Sequence, residues 1–176
     1  MKALIFLLIC TLPMTTQMIY DFNESSPLKG WYVVDDVVMG GRSAGSLFVN
    51  AEGHGVFKGY VSLENNGGFS SVRHRFKRMS VEGFTKVKLK VKGDGKKYQF
   101  RVKSSSRDYY SYVATFPTTG EWQDIEIPLE SMYPAFRGRQ LNLSNFDQST
   151  IEEIAILIGN KEEESFELLI DQIELQ

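Results

Sequence analysis

From Gln17 to the end of the chain, the sequence alternates between short apolar runs and clusters of Gly, Asn, Ser or Pro. The runs are rich in Val, Ile, Tyr and Phe and recur at roughly 8 to 14 residue intervals, a spacing typical of β-sandwiches. No helical stripe of comparable length competes with them. The pattern therefore predicts an all-β fold, a sandwich of two antiparallel sheets. The predicted strands are 31–34, 46–49, 55–63, 69–76, 86–92, 98–103, 110–116, 122–127, 154–158 and 166–175.

Two hairpins are predicted within this pattern. The runs 87–92 and 98–103 flank Gly93-Asp94-Gly95, whose glycines tolerate the positive φ of a tight turn. Alternation sends the apolar side chains of both runs to one face and the lysines to water. The pair Asn66-Gly67 predicts the second hairpin, between 55–63 and 69–76. The segment 129–145 is predicted to be a long loop, a place where binding often occurs.

The N-terminus has the composition of an export signal. Residues 1–16 combine Lys2, an apolar run and small polar residues, which predicts a signal peptide followed by one domain, 17–176. A buried N-terminal strand is the alternative. The apolar run is shorter than the roughly 20 residues that cross a bilayer, so we expect an exported product, periplasmic or secreted, without stable membrane insertion. Cleavage would remove Cys10, the single cysteine, and with it disulfides and thiol catalysis.

Composition and motifs argue against several functions. The formal net charge of -2 gives no reason to expect a nucleic-acid partner. The two histidines, His54 and His74, have no nucleophile motif beside them, and metal-ligand spacings such as H-E-x-x-H are absent from the sequence. We therefore expect a protein that is not an enzyme and that needs no cofactor.

Charge is distributed unevenly along the chain. Residues 73–103 contain twelve Lys or Arg against two acids, and residues 121–176 contain thirteen acids against three bases. One interpretation is a basic face that binds an anionic partner such as an acidic polysaccharide. The other, which we favour, is that basic and acidic strands are neighbours and form cross-strand ion pairs.

Two clusters of unusual composition carry a family resemblance. Residues 35–45 read DDVVMGGRSAG and residues 66–73 read NGGFSSVR. They resemble the complex I intermediate-associated protein family, whose members have a D-x-V-M-G-G-x-S-x-G stretch followed by a G-G-F-x-S-V-R stretch. Further matches are Tyr112 and Phe116 before Trp122, the run Ile127-Pro128-Leu129, Phe136-Arg137-Gly138 and residues 166–173.

The resemblance covers nearly the whole chain after Tyr20. It implies a galactose-binding-like jelly-roll sandwich, similar to that of carbohydrate-binding modules. For mitochondrial members it also implies a non-catalytic chaperone role in the assembly of respiratory complex I, the NADH:ubiquinone oxidoreductase. The predicted export signal differs from the Arg-rich transit segment of a mitochondrial protein.

The candidate binding surface combines three parts of the sequence. They are the 36–43 loop, the strand entry at residues 66–73, and the 136–138 loop. The candidate residues are Asp36, Met39, Gly40, Gly41, Arg42, Ser43, Asn66, Gly68, Phe69, Arg73, Phe136, Arg137 and Gly138. A purely structural turn with an inward Met39 is the alternative for the first loop, and a tight turn suffices to explain Asn66-Gly67-Gly68.

Arg73 falls on the same side of its strand as Phe69 and Ser71, which we interpret as the core side. An arginine there needs a carboxylate partner, and we predict Asp35 or Asp36.

Two further ligand hypotheses are weaker. Jelly-roll modules of this type can hold calcium near the first and last strands, and Asp21, Glu24 and Asp171 are the candidate oxygen ligands here. The aromatic residues from Tyr109 to Trp122 suit stacking on sugar rings, although core packing explains most of them equally well.

These observations leave two functions open. The first is a module that recognises a protein partner, and the second is a carbohydrate-binding module of an exported protein.

Overall fold

The computed structural model describes residues 15–176, which fold into a jelly-roll sandwich of two antiparallel β-sheets. The strands are β1 (Gln17–Asp21), β2 (Trp31–Asp35), β3 (Ala44–Val49), β4 (Gly55–Val61), β5 (Ser70–Ser80), β6 (Lys86–Lys92), β7 (Lys97–Lys103), β8 (Ser111–Pro117), β9 (Trp122–Pro128), β10 (Tyr133–Phe136), β11 (Arg139–Gln140), β12 (Thr150–Ile158) and β13 (Glu164–Leu175). The predicted fold class is therefore confirmed. The predicted signal peptide lies, except for Thr15 and Thr16, outside the described residues.

Each sheet has a defined strand order. The six-stranded sheet has the order β3-β4-β13-β6-β9, with β1 also paired to β13, and the seven-stranded sheet has the order β11-β10-β8-β7-β12-β5-β2. Every pairing within both sheets is antiparallel. Within residues 15–176, no helix has the length and apolar character needed to cross a membrane.

The core lies between the sheets and follows from the alternation of apolar residues. Ile154, Ile156 and Ile158 of β12 are at most 1% exposed, as are Leu168 and Ile170 of β13. Burying each such side chain stabilises the fold by about 1.5 to 3 kcal/mol relative to leaving it in water. The sandwich is thus held together mainly by its two inner faces.

Both predicted hairpins are wrong, because each turn carries the chain from one sheet to the other. β6 pairs with β13 and β9 in the six-stranded sheet, whereas β7 pairs with β12 and β8 in the seven-stranded sheet. Their apolar side chains are buried as predicted, but they face each other across the core. Likewise, β4 and β5 belong to different sheets, and a 3-10 turn, Glu64–Asn66, connects them. The predicted loop 129–145 contains the short strands β10 and β11.

Three of the four lysines of β6 take part in cross-strand ion pairs. Lys86 lies 2.8 Å from Glu126, Lys88 lies 3.3 Å from Asp124 and Lys90 lies 2.7 Å from Asp171. The favoured interpretation of the charge pattern is therefore confirmed for the six-stranded sheet. It also extends to β5 of the other sheet, where Arg75 and Arg78 pair with Glu153 and Glu152 of the neighbouring strand β12. Among residues 15–176, the basic residues of β7 form no salt bridge.

Gly59 of β4 is opposite Gly45 of β3, and the two backbones approach closely there. A Cβ atom on Gly59 would lie 2.0 Å from the carbonyl oxygen of Ala44. We expect Gly59→Ala to lower the free energy of unfolding by about 2 kcal/mol, because the backbone of β3 would have to move. Urea denaturation measures the change. Gly120→Ala, an exposed site with open space around it, is the matched control, and equal midpoints for both variants would contradict the prediction.

Candidate functional site

A cleft of about 410 Å³ lies on the outer face of the seven-stranded sheet. Outward-facing residues of β5, β7, β8 and β12 form its floor. The turn at Asp36, residues 66–69 and the 135–138 segment form its sides. The three parts of the predicted binding surface therefore contribute to one concave site. A cleft of this size suits a small or oligomeric ligand.

Asp36 organises one end of the cleft. Its side chain is 1% exposed, and its carboxylate accepts hydrogen bonds from two separate loops. The backbone N–H and the hydroxyl of Ser43 donate from the first loop. The backbone N–H groups of Gly68 and Phe69 donate from the second, over 2.6 Å and 3.2 Å. One carboxylate thus joins the two connections that pass between the sheets.

Four donors keep this carboxylate charged. Burial by itself would raise the pKa of Asp36, but the hydrogen bonds from Ser43, Gly68 and Phe69 outweigh it, so the pKa lies below its usual value. Two glycines of the first loop make this hydrogen-bonded arrangement possible. Gly40 ends the 3-10 turn with a φ of 88°, and a Cβ on Gly41 would lie 2.2 Å from Oδ1 of Asp36.

Glu153 is the buried acid of the sheet face that forms the floor. Its side chain is 2% exposed and lies among cations on β5. Its Oε2 accepts hydrogen bonds from Nε of Arg75 over 2.7 Å and from the hydroxyl of Tyr32 over 2.9 Å. Burial, together with the charge of Glu153, raises the pKa of Tyr32 to about 12. Arg73 is more distant, with 3.6 Å between its Nη1 and Oε1 of Glu153.

Arg101 lies on the floor of the cleft, and its nearest polar partner is neutral. The strand register places Arg73, Ala155 and Arg101 in one row across β5, β12 and β7. The guanidinium of Arg101 donates twice to Oε1 of Gln99, over 3.1 Å and 2.6 Å. Within residues 15–176, no carboxylate forms a salt bridge with Arg101. Burial, with a smaller effect of the Arg73 charge, lowers the pKa of Arg101 to about 10, so it remains charged at neutral pH.

An aromatic pair forms one side of the cleft. The rings of Tyr109 and Phe136 are 5.3 Å apart, edge to face, and their side chains are 63% and 38% exposed. The guanidinium of Arg137 lies over the Phe136 ring, 5.2 Å from its centre. Arg137 and Gly138 both have positive φ, 47° and 75°, which turns the chain sharply after β10. The pair therefore presents apolar surface beside a basic floor.

The structure brings most, but not all, of the predicted binding residues together. Those that line the cleft are Asp36, Asn66, Gly68, Phe69, Arg73, Phe136, Arg137 and Gly138. The 36–43 loop is instead held around the Asp36 carboxylate by Gly40, Gly41 and Ser43. Arg42 is exposed and lies 3.0 Å from Glu64. The side chain of Met39 lies outside what the structure describes.

The predicted partner of Arg73 is wrong, and so is its assignment to the core side. Val72 and His74 face the core, whereas Arg73 faces outward and its carboxylate neighbour is Glu153. Asp35 instead binds the hydroxyl of Ser70 over 2.6 Å. The prediction relied on Phe69, which precedes β5 and lines the cleft instead of facing the core.

Asp171, one of the three calcium candidates, has protein partners in the structure. Its carboxylate lies 2.7 Å from Nζ of Lys90 and 3.2 Å from Nδ1 of His54. Asp21 accepts a hydrogen bond from Gln172 over 3.0 Å, and Glu24 is exposed. In the described part of the chain, no group of three or more His, Cys, Asp or Glu has an arrangement that could hold a metal ion.

Sequence reasoning missed much of the floor. Gln99, Arg101, Lys103 and Ser111 line the cleft. Alternation could have assigned the first three to the outer face of β7, because Tyr98, Phe100 and Val102 form its inner face. Alternation does not, however, show which strands are the neighbours of β7. Tyr109 was a sugar-stacking candidate and is exposed in the cleft, whereas Tyr112 and Phe116 are core residues.

Comparison with known proteins gives two kinds of likeness. The family model described as complex I intermediate-associated protein 30 matches residues 20–170. Mouse complex I intermediate-associated protein 30, mitochondrial, is 23% identical over 180 residues, which cover 89% of this chain and 55% of the mouse protein. The chain thus spans about half the length of that curated relative.

The structural likenesses are to carbohydrate-binding modules and to part of an agarase. The family 11 module of a cellulosomal cellulase from Clostridium thermocellum superposes with a TM-score of 0.67 at 16% identity, covering 93% of this chain and 95% of the module. The agarase gives a TM-score of 0.63 at 13% identity, covering 92% of this chain and 24% of the agarase. At these identities the likeness shows the shared fold.

Proposed function

Because this chain belongs to the complex I intermediate-associated protein 30 family and has the fold of carbohydrate-binding modules, we propose that it is a non-catalytic module that binds a carbohydrate in the cleft. The proposal rests on the observation that several separate segments line the same cleft. The segments with the family motifs meet the exposed pair Tyr109 and Phe136 in one concave site. Fold and family alone would not identify a binding site.

The chemistry of the cleft suits a sugar chain. Aromatic rings with exposed faces and edges pack against the apolar faces of pyranose rings, and neighbouring polar groups bind the hydroxyls. Tyr109 and Phe136 offer the first, and Asn66, Gln99 and Ser111 offer the second. A family 11 carbohydrate-binding module from Clostridium thermocellum, of similar fold, has a solved structure in complex with a β-1,3-1,4-mixed-linked tetrasaccharide. That complex supports the general use of such a fold for glycans.

The acids of the cleft support a role without catalysis. Glycoside hydrolysis uses two carboxyl groups on opposite sides of the scissile bond. Among the described residues that line the cleft, Asp36 is the single acid, and its oxygens are engaged by Ser43, Gly68 and Phe69. This arrangement favours binding over bond cleavage.

The test measures binding to immobilised glycans and then titrates the strongest glycan by calorimetry. We expect Phe136→Ala and Tyr109→Ala each to weaken binding about tenfold, because a stacking surface of this kind contributes about 0.5 to 1.5 kcal/mol beyond its area burial. Trp122→Ala is the matched control, since Trp122 is 38% exposed, like Phe136, but lies on the other sheet. Equal binding by all three variants would refute the cleft as the site.

Recognition of a protein partner is the second candidate. Two exposed apolar side chains, Val37 and Leu63, lie on the loops that Asp36 joins, and the name of the mouse relative points to protein assembly. A stoichiometric complex with another protein that is lost in Val37→Asp or Leu63→Asp, together with no glycan binding, would favour this candidate over the first.

A further inference from the structure

We infer that the carbohydrate is acidic and that Arg73 and Arg101 form the subsite for its carboxylate or sulfate group. The inference rests on the proposed function and specifies its ligand class. It follows from the charge of the cleft, the hydrogen bonding of the two arginines and their placement on the floor.

The cleft has an excess of positive charge. Its basic residues are Arg73, Arg101, Lys103 and Arg137, and its one acid within the described chain is Asp36. The donors around Asp36 already use its oxygens, so it neutralises none of the four cations directly. A neutral sugar would leave this charge excess in place, whereas an anionic group would offset it.

Glu153 does not remove the excess. This buried carboxylate lies beside the floor, and its short contacts go to Arg75 and Tyr32. Arg73 is left with a contact of 3.6 Å, longer than a hydrogen bond, and its Nε is buried with no hydrogen-bond partner in the part of the chain that the structure describes. An unpaired buried donor is destabilising unless a ligand satisfies it.

Arg101 is unsatisfied in a different way. A guanidinium has five N–H donors in a planar fork, which matches a carboxylate or sulfate better than a single amide oxygen. Among residues 15–176, Arg101 donates to Gln99 alone, although it is partly buried on the floor. Burial and the neighbouring Arg73 charge lower the pKa of Arg101, and burial lowers that of Lys103. The shift of Arg101 is the response expected of a buried cation without a carboxylate partner, whereas the charges of Glu153 and Asp108 partly oppose the shift of Lys103.

Arg73 and Arg101 both line the cleft of about 410 Å³. They flank Ala155 of β12, whose methyl group is the smallest side chain in that row. The void directly at Ala155 holds only about 10 Å³, so the anionic group would lie in the cleft above it, where both arginines can donate N–H groups to it. The aromatic pair Tyr109 and Phe136 borders the same cleft and can hold an adjacent sugar ring.

The experiment titrates the protein with five probes in calorimetry at low and high salt. The probes are oligogalacturonate, its fully methyl-esterified counterpart, a sulfated galactan oligomer, a mixed-linked β-glucan oligomer and a poly-glutamate peptide. We expect oligogalacturonate or the sulfated galactan to bind, the neutral probes to bind at least about tenfold more weakly, and salt to weaken binding. Binding of the first identifies a carboxylate as the recognised group, and binding of the second identifies a sulfate.

Variants locate the subsite. Arg73→Gln and Arg101→Gln should each weaken the acidic probe about tenfold or more, and Arg101→Lys should fall between, because it retains charge but loses the planar fork. Arg78→Gln is the matched control, since Arg78 is on the same strand as Arg73 but pairs with Glu152 outside the cleft. Thermal unfolding of ligand-free Arg101→Gln should be unchanged or raised, a result that a merely structural arginine would not give.

The outcomes separate this inference from the proposed function. If the neutral glucan or the methyl ester binds as well as the acidic probes, the anionic subsite is refuted while glycan binding stands. If the poly-glutamate peptide binds and no glycan does, both are refuted and the protein-partner candidate gains support. If no probe binds, the inference fails as well.

Discussion

Replacing Asp36 with alanine is expected to lower the free energy of unfolding by about 4 kcal/mol, because the donors that converge on its carboxylate lose a charged partner in a buried site. Those donors come from Ser43, Gly68 and Phe69. The measurement is equilibrium denaturation followed by tryptophan fluorescence. Because the same carboxylate joins two sides of the cleft, the variant should also lose glycan binding at temperatures where it is still folded.

Asp36→Asn is the informative control, since it retains the shape of the side chain but loses its charge. The folded-state pKa of Asp36 is lowered, so its charge contributes stability that is present above the unfolded pKa of about 3.9 and is lost as the pH falls through the folded value. The wild-type protein should therefore lose more stability between about pH 5 and pH 3 than Asp36→Asn does. Parallel acid profiles for the two proteins would contradict this account.

Replacing Glu153 with glutamine is expected to lower the free energy of unfolding by about 3 kcal/mol. Removal of one partner from a buried ion pair leaves uncompensated charge, here on Arg73 and Arg75. Glu152→Gln is the matched control, because Glu152 is the neighbouring acid and pairs with the exposed Arg78. That variant should lose far less stability than Glu153→Gln.

The loss in Glu153→Gln should depend on anions. If repulsion among the cations of the floor causes it, sulfate should restore more stability to this variant than to the wild type, since sulfate can bind between arginines. Equal sulfate effects on the two proteins would mean that the loss comes from the missing hydrogen bonds to Tyr32 and Arg75 instead.

Alternation along each strand could be predicted from the sequence, but strand pairing could not. The inner faces of β6 and β7 were assigned correctly, because apolar side chains at every second position need burial whichever sheet they join. Their pairing was assigned wrongly, since Gly93-Asp94-Gly95 suits a hairpin as well as a passage between sheets. Asp94 stabilises the passage between the sheets by accepting hydrogen bonds from Tyr98 and from the backbone N–H of Glu167 in β13. Such long-range contacts leave no periodic signal.

Local sequence motifs predicted part of the candidate site. The residues whose position depends on strand order could not be predicted. The family motifs around Asp36, Gly68 and Phe136 pointed to three sides of the cleft. Arg101 was not found, because a lone arginine in an alternating strand resembles any solvated position. Its significance depends on β12 lying between β5 and β7, an order that sequence spacing does not encode.

The first and last strands of the sandwich have a practical consequence for its use. Gln17 of β1 is paired with Leu175 of β13, and both belong to the sheet opposite the cleft. Anything fused to either strand, such as a reporter, a surface tether or a second copy, would leave from the back of the molecule. The cleft can therefore stay unobstructed on a sensor chip or in a tandem array, where linking copies would raise avidity through effective concentration.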